Sequence, residues 1–287
     1  MTLLSPRKSP VIALAVLFGS FFLYAYSVVE LQKIPRASEK GLFSVAIPAP
    51  FQVLLSGGDR FLAANMGVFR ALVVSSGDLD AETYQVLGQV QRDVALLNPA
   101  HEDNYYISQA ILPWNGQLDA DMFIQEQATA ARTWDALPPF FLGFDKYYFR
   151  KNPLAGAKAV QIAAERSPPG NREALTAMAA RWSEKGDDPR IAIGMIETLI
   201  TNTRNTDLRK NLEARKQRLE GLAKLRDAAK LYIEKYSAVP TRLADLIGPG
   251  FLEKVPSDPL NQGYTVDANG VPVMRKPIAR ALPSPSS

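Results

Sequence analysis

The chain of 287 residues contains no cysteine and a single histidine, His101. The first absence removes disulfides, thiolate metal sites and cysteine nucleophiles together. The second removes nearly every histidine-based metal set and the Ser-His-Asp arrangement. Charge of one sign is also scarce. Lys and Arg total 33 against 29 Asp and Glu, a net of +4, which is little for a nucleic-acid binder of this length. No nucleic-acid partner, cofactor or metal is expected. What remains is an ordinary globular mixture, 47% hydrophobic and 22% charged, with ample apolar surface for a core.

Only one long uncharged hydrophobic run occurs, at 11–29 (VIALAVLFGSFFLYAYSVV). At about 1.5 Å per residue it just crosses a hydrocarbon layer of roughly 30 Å. Arg7 and Lys8 precede it, as in the charged front of an export signal. The run exceeds the apolar stretch of a cleavable signal, and Ser27-Val28-Val29-Glu30 offers no small-x-small exit. The expectation is an uncleaved signal anchor at 11–29, a cleaved signal being the alternative. Basic residues flank both sides, so orientation rests on the simpler choice of a short cytoplasmic tail at 1–10. The bulk of the chain then lies outside the cytoplasm, a periplasmic placement for a bacterial inner-membrane protein.

Residues 30–52, with Pro35, Pro48 and Pro50, read as a linker or short docking segment. Gly57-Gly58-Asp59 is not a phosphate loop, because no Gly-Lys-Ser/Thr follows; it reads as a helix start capped by Ser56 or Asp59. From Ser56 to Ala229 the pattern is helical and lacks a clear alternating strand. Breaks fall at Ser76-Gly77-Asp78, Asn98-Pro99, Asn115-Gly116, Leu137-Pro138-Pro139, Asn152-Pro153, Ser167-Pro168-Pro169-Gly170 and Gly186-Asp187-Asp188-Pro189. Helices of this length joined by short turns make antiparallel hairpins.

These hairpins carry a spacing. Pro99 and Pro168 stand 69 residues apart, and Ala131-Arg132-Thr133-Trp134 lies midway. Within 137–170, Phe140, Tyr147, Gly156, Val160, Ala163 and Pro168 alternate large and small where paired helices must interlock. The pattern resembles the tetratricopeptide repeat family over about 68–204. That resemblance implies a solenoid of α-helical hairpins at 53–204 with a protein- or peptide-binding concave surface, and no reaction.

Residues 204–230 hold nine basic and four acidic side chains, so the rest of the protein is close to neutral. Leu208, Leu212, Leu219, Leu222 and Leu225 form an apolar stripe on this basic helix. Two readings stand: a helix that closes the solenoid with a solvated basic face, or a contact with anionic lipid or an acidic partner. Beyond it follow YIEKYSAVP, LADLI and FLEKVPSDPLNQGY, then Gly263–Val266 and Val271–Met274 around Asp267-Ala268-Asn269-Gly270. Over about 219–275 this resembles the segment after the long helix of type II secretion major pseudopilins. It implies a short helix, a Pro-x-Asp-Pro loop and a small β-hairpin. No processed glycine motif precedes the membrane run, so a docking module within 205–275 is expected rather than a polymerising pilin. The proline-bearing stretch 276–287 reads as a disordered tail. The fold class is therefore mainly α, with a membrane helix, a helical solenoid and a small α+β end.

Chemistry is thin. Glu102 and Asp103 beside His101 suit the positive end of a helix. Asp119, Asp121 and Glu126 read as a solvated helix face. Aromatics are more suggestive, since eleven of the 26 lie between 105 and 149. Neighbouring helical residues sit about 100° apart, so Tyr105-Tyr106 and Tyr147-Tyr148 cannot both point inward. They pack between repeats or line a groove. For a groove the partner-binding candidates are Asn104, Tyr105, Tyr106, Trp114, Asn115, Tyr147, Tyr148 and Arg150. The functional expectation is a membrane-anchored protein-interaction scaffold of the bacterial envelope, in secretion or pilus assembly. The rival is an envelope enzyme acting on glycan or peptide, marked by a desolvated carboxylate in a pocket.

Overall fold

The computed structural model describes residues 9–33, 45–73 and 79–275. The expected break at Ser76-Gly77-Asp78, the tail 276–287, residues 1–8 and the linker's 34–44 lie outside the described residues. Two units are distinct, one up to Ser44 and one from Val45 onward.

The first unit contains helix α1, Ser9–Lys33. Its 25 residues span about 37 Å at the usual helical rise. The stretch Ile12–Leu31 has a mean hydropathy of 2.1, and no part of it is buried by the rest of the protein. It is long and apolar enough to cross a membrane, and it includes nearly all of the run read from the sequence.

The second unit is mainly helical. It comprises α2 (Ala49–Leu55), α3 (Arg60–Val73), α4 (Ala81–Leu97), α5 (Glu102–Ile111), α6 (Leu118–Ala131) and α7 (Leu137–Tyr148). The series continues with α8 (Pro153–Glu165), α9 (Pro169–Ser183), α10 (Pro189–Asn202) and α11 (Thr206–Tyr236). Helix α2 starts inside the stretch expected to be linker, because Pro50 is acceptable in a first turn, where its missing N–H is not needed.

Helix starts follow from residue chemistry. Asn152 and Asp188 accept backbone N–H groups of Ala155 (3.0 Å) and Arg190 (2.8 Å), and the prolines after them open α8 and α10. Asn205 caps α11 through the amides of Asp207 and Leu208, both at 3.0 Å. Asp59 caps α3 through Phe61 and Leu62 (2.8 and 3.1 Å), after Gly57 and Gly58 turn the chain at positive φ.

Packing is closest between α7 and α8. A Cβ on Gly143 would stand 2.7 Å from the Val160 side chain, and one on Gly156 would stand 2.8 Å from Cβ of Tyr147. Two glycines therefore let the hairpin close tightly. Beyond it, Val160, Ala180, Ile196, Leu212 and Leu219 from α8 to α11 join in one core. Each fully buried leucine or isoleucine there contributes about 1.5–3 kcal/mol.

Helix α11 joins this core to the C-terminal end. Leu222, Leu225, Ala228 and Ala229 meet Leu246, Tyr264 and Leu252. A short 3₁₀ turn, Leu243–Leu246, leads to an antiparallel hairpin of β1 (Tyr264–Val266) and β2 (Pro272–Met274). Tyr264 pairs with Met274 and Val266 with Pro272. The Pro-Ser-Asp-Pro loop is fixed by Asp258, whose carboxylate accepts amides of Leu260, Gln262 and Gly263 at 2.7–3.0 Å and meets Arg218 at 3.1 Å. Tyr264 donates to the Arg218 carbonyl at 2.8 Å, and a Cβ at Gly221 would collide with its hydroxyl.

Candidate functional site

Helices α5 and α7 carry seven of the eleven aromatic residues between 105 and 149, and they turn part of that set outward. On α7, Leu137, Phe141, Phe144 and Tyr148 recur at helical spacing along one side. Tyr106 on α5 meets Phe141 edge-on at 5.8 Å between ring centres. At the far end α5 runs into a 3₁₀ turn, Pro113–Asn115, ended by Gly116 in the left-handed region (φ 76°). This turn presents Trp114, whose ring lies 4.9 Å from Phe149, 5.9 Å from Tyr148 and 6.5 Å from Phe144. Phe144 and Tyr148 stack at 5.3 Å. Trp114 is 57% exposed, Tyr148 44% and Tyr106 41%. Lys151 lies 4.8 Å over the Tyr148 ring, and Arg150 pairs with Asp119 at the rim.

Beneath this surface lies a polar layer. Asp121, Gln125, Asp145 and Ser108 are fully buried. Gln109 donates to Asp145 at 3.1 Å, and Gln125 donates to Asp121 at 3.2 Å and to the Tyr105 carbonyl at 2.8 Å. The carboxyl groups of Asp121 and Asp145 are within hydrogen-bonding reach of each other. Burial pushes both pKa values up, which favours the protonated form of each carboxyl. This layer fixes α5, α6 and α7 against one another and thereby sets the aromatic surface above it.

The eight residues proposed from the sequence separate into three groups. Trp114, Tyr148 and Arg150 meet at one surface, with Tyr106 at its other end. Asn104 and Tyr105 are interior residues, 2% and 1% exposed. Asn104 donates to the Gln91 carbonyl at 3.0 Å, and Tyr105 donates to Asp135 at 2.7 Å. Asn115 and Tyr147 are occupied locally. Asn115 donates to the Ile111 carbonyl at 2.7 Å and holds the Trp114 turn. Tyr147 stacks on Trp182 of α9 at 4.1 Å and is held by Lys185.

A further correction concerns Asp121, which is buried rather than part of a solvated face. Its convergence with Asp145 gives two desolvated carboxyls, both sealed from solvent. His101 bonds Asn65 at 3.1 Å, and no group of three metal-ligating side chains occurs among the described residues. Of the nine basic residues at 204–230, five are engaged within the protein. Arg215 grips Glu184 at 2.7 Å, Lys216 meets Glu197 at 2.8 Å, and Arg218 meets Asp258. Arg209 and Arg226 donate to backbone carbonyls. Arg204, Lys210, Lys224 and Lys230 remain exposed.

Phe144, Phe149 and Lys151 complete the aromatic surface and were not singled out from the sequence. The spacing of 141, 144 and 148 on one helical side was the available signal. Compared with protein-family models, with curated proteins and with solved structures, the chain matches none.

Proposed function

We propose that this protein is a membrane-anchored scaffold of the bacterial envelope that recognises a protein or peptide partner. The exposed aromatic surface of α5 and α7 carries the reading. Rigid rings with a charged rim are what interface anchors are made of, because they bury much area at little cost in side-chain entropy. Helix α1 is the anchor in an inner (cytoplasmic) membrane, with the chain after it in the periplasm.

The helical body is tetratricopeptide-like in this reading. Two features at repeat spacing favour it. Arg132 donates to the Ala100 carbonyl (3.1 Å), and Arg166, 34 residues later, donates to the carbonyls of Arg132 and Thr129 (3.1 Å each). Each guanidinium thus ties one hairpin's end to the turn before it. The Gly143–Gly156 approach supplies the small pair at a hairpin crossing. The C-terminal end is a pseudopilin-like docking module, its Asp258 loop and β-hairpin seated on α11. Secretion or pilus assembly is the pathway class this combination suits, by analogy of fold alone.

The test is capture by the tagged, detergent-extracted full chain. Trp114→Ala with Tyr148→Glu removes the partner recovered by the wild type, while circular dichroism stays unchanged. Equal recovery of that partner by both chains overturns the proposed surface.

A further inference from the structure

Helix α3 is turned the unusual way round. Its inner face is small (Ala63, Ala64, Gly67, Val68 and Ala71, all buried), whereas Phe61, Leu62, Met66, Phe69, Leu72 and Val73 are 47–63% exposed. On an ideal helix the six outward residues fall within an arc of roughly 140°. Close approach dictates the orientation, because a Cβ on Gly67 would stand only 2.6 Å from the Val94 side chain of α4. Only the small face admits α4, and the large side chains are left outside. Helix α2 adds Phe51, Leu54 and Leu55, 59–78% exposed. Residues 45–73 carry eleven exposed large apolar side chains, against fourteen over all of 79–275. Such concentration exceeds the scattered apolar exposure normal for a protein surface.

We infer that α2 and α3 lie in the headgroup region of a lipid bilayer, as a second contact of this protein with the membrane that α1 crosses. The occupant follows from chain length and chemistry. Eleven residues, 34–44, separate Lys33 at the end of α1 from Val45, so Val45 stays within about 43 Å of that helix end even when the link is fully extended. A tethered apolar face meets the adjacent lipid surface at high effective concentration. Phe, Leu and Met on one side with arginine at the edges is the composition of interfacial helices. The Arg60 guanidinium lies 4.6 Å over the Phe61 ring, with the charge at the margin of the apolar face, where phosphate groups of lipid stand.

The inference rests on the anchoring of α1, and the test separates the two. The chain lacks cysteine, so single nitroxide labels can be placed in the full-length protein at Met66→Cys, Phe69→Cys, Phe18→Cys on α1 and Lys210→Cys on α11. The protein is reconstituted into vesicles of phosphatidylethanolamine and phosphatidylglycerol. Collisions with oxygen, which partitions into lipid, are compared with those of a water-soluble nickel chelate. Labels at 66 and 69 are expected to show an oxygen-to-nickel ratio several-fold above that at 210 and below that at 18. A ratio at 66 and 69 equal to that at 210, with 18 still lipid-embedded, overturns the inference and leaves the anchor intact. Protection from both reagents, with spin–spin broadening relieved by unlabelled chain, also overturns it, since the face then belongs to a second copy. A water-like ratio at 18 refutes the anchor itself and, with it, this inference.

Discussion

Asp145 of α7 and Asp121 of α6 bring two fully buried carboxyl groups within hydrogen-bonding reach of each other. In the unfolded chain both carboxyls ionise near pH 4. In the folded chain desolvation raises their pKa values, so the native pair retains a proton the unfolded chain gives up. Native stability is full below the unfolded value and falls as pH rises above it. Asp145→Asn keeps the acceptor for Gln109 and supplies a permanent donor to Asp121. Chemical denaturation should find the variant more stable than wild type by about 1–3 kcal/mol at pH 8, with the difference shrinking towards pH 4. A difference independent of pH would count against raised pKa values for these carboxyls.

Tyr105 and Trp114 should behave oppositely although both were candidates for partner contact. Tyr105→Ala empties a core site and leaves Asp135 without its phenol donor, at a cost of about 3–5 kcal/mol. Trp114→Ala removes exposed ring contacts worth about 1 kcal/mol. Thermal melts of the two variants check the order.

Asp135 works in the opposite direction from Asp145. Desolvation is its largest influence and favours the neutral acid, but bonds from the Leu137 amide, Tyr105 and Arg132 together outweigh it and lower its pKa. Its contribution is present above pH 4 and lost as pH falls through the depressed folded value. Asp135→Asn should therefore flatten the acid side of the stability profile, measured by denaturant midpoints between pH 6 and pH 2.

Arg218 and Asp258 form a buried pair, their side chains 5% and 4% exposed. Removing one partner leaves a buried charge, which costs about 3–5 kcal/mol. Asp258→Ala also strips three loop amides of their acceptor. Limited proteolysis should then cut within 256–263 before any site in α7–α10, and simultaneous cutting would show that the module is not locally held by this carboxylate.

Much of the fold was legible because it depends on local chemistry. The run 11–29 within α1 is uncharged throughout, Asn152-Pro153 and Asp188-Pro189 open helices, and Asp267–Gly270 closes a hairpin as read. The site was legible only in part. Neighbouring tyrosines split between inside and outside as helical geometry demands, but which one turns inward depends on long-range partners. Tyr105 is drawn in by Asp135, thirty residues away, and Asp121 by Asp145 and Ser108. Nothing beside Asp121 distinguishes it from Asp119, which is 82% exposed on its side chain. Helix α3 is apolar on both faces, so periodicity alone does not decide which one packs; the fit of Gly67 against Val94 does.

The most direct measurement is photo-crosslinking from position 114 in living cells, with a benzophenone amino acid in place of Trp114 and a parallel chain labelled at Lys210. Recognition through the α5–α7 surface gives one discrete protein adduct from 114 that is absent from 210 and lost when Tyr148→Glu is added. Identical adducts from both positions, or an adduct at 114 indifferent to Tyr148→Glu, would contradict recognition through the α5–α7 surface.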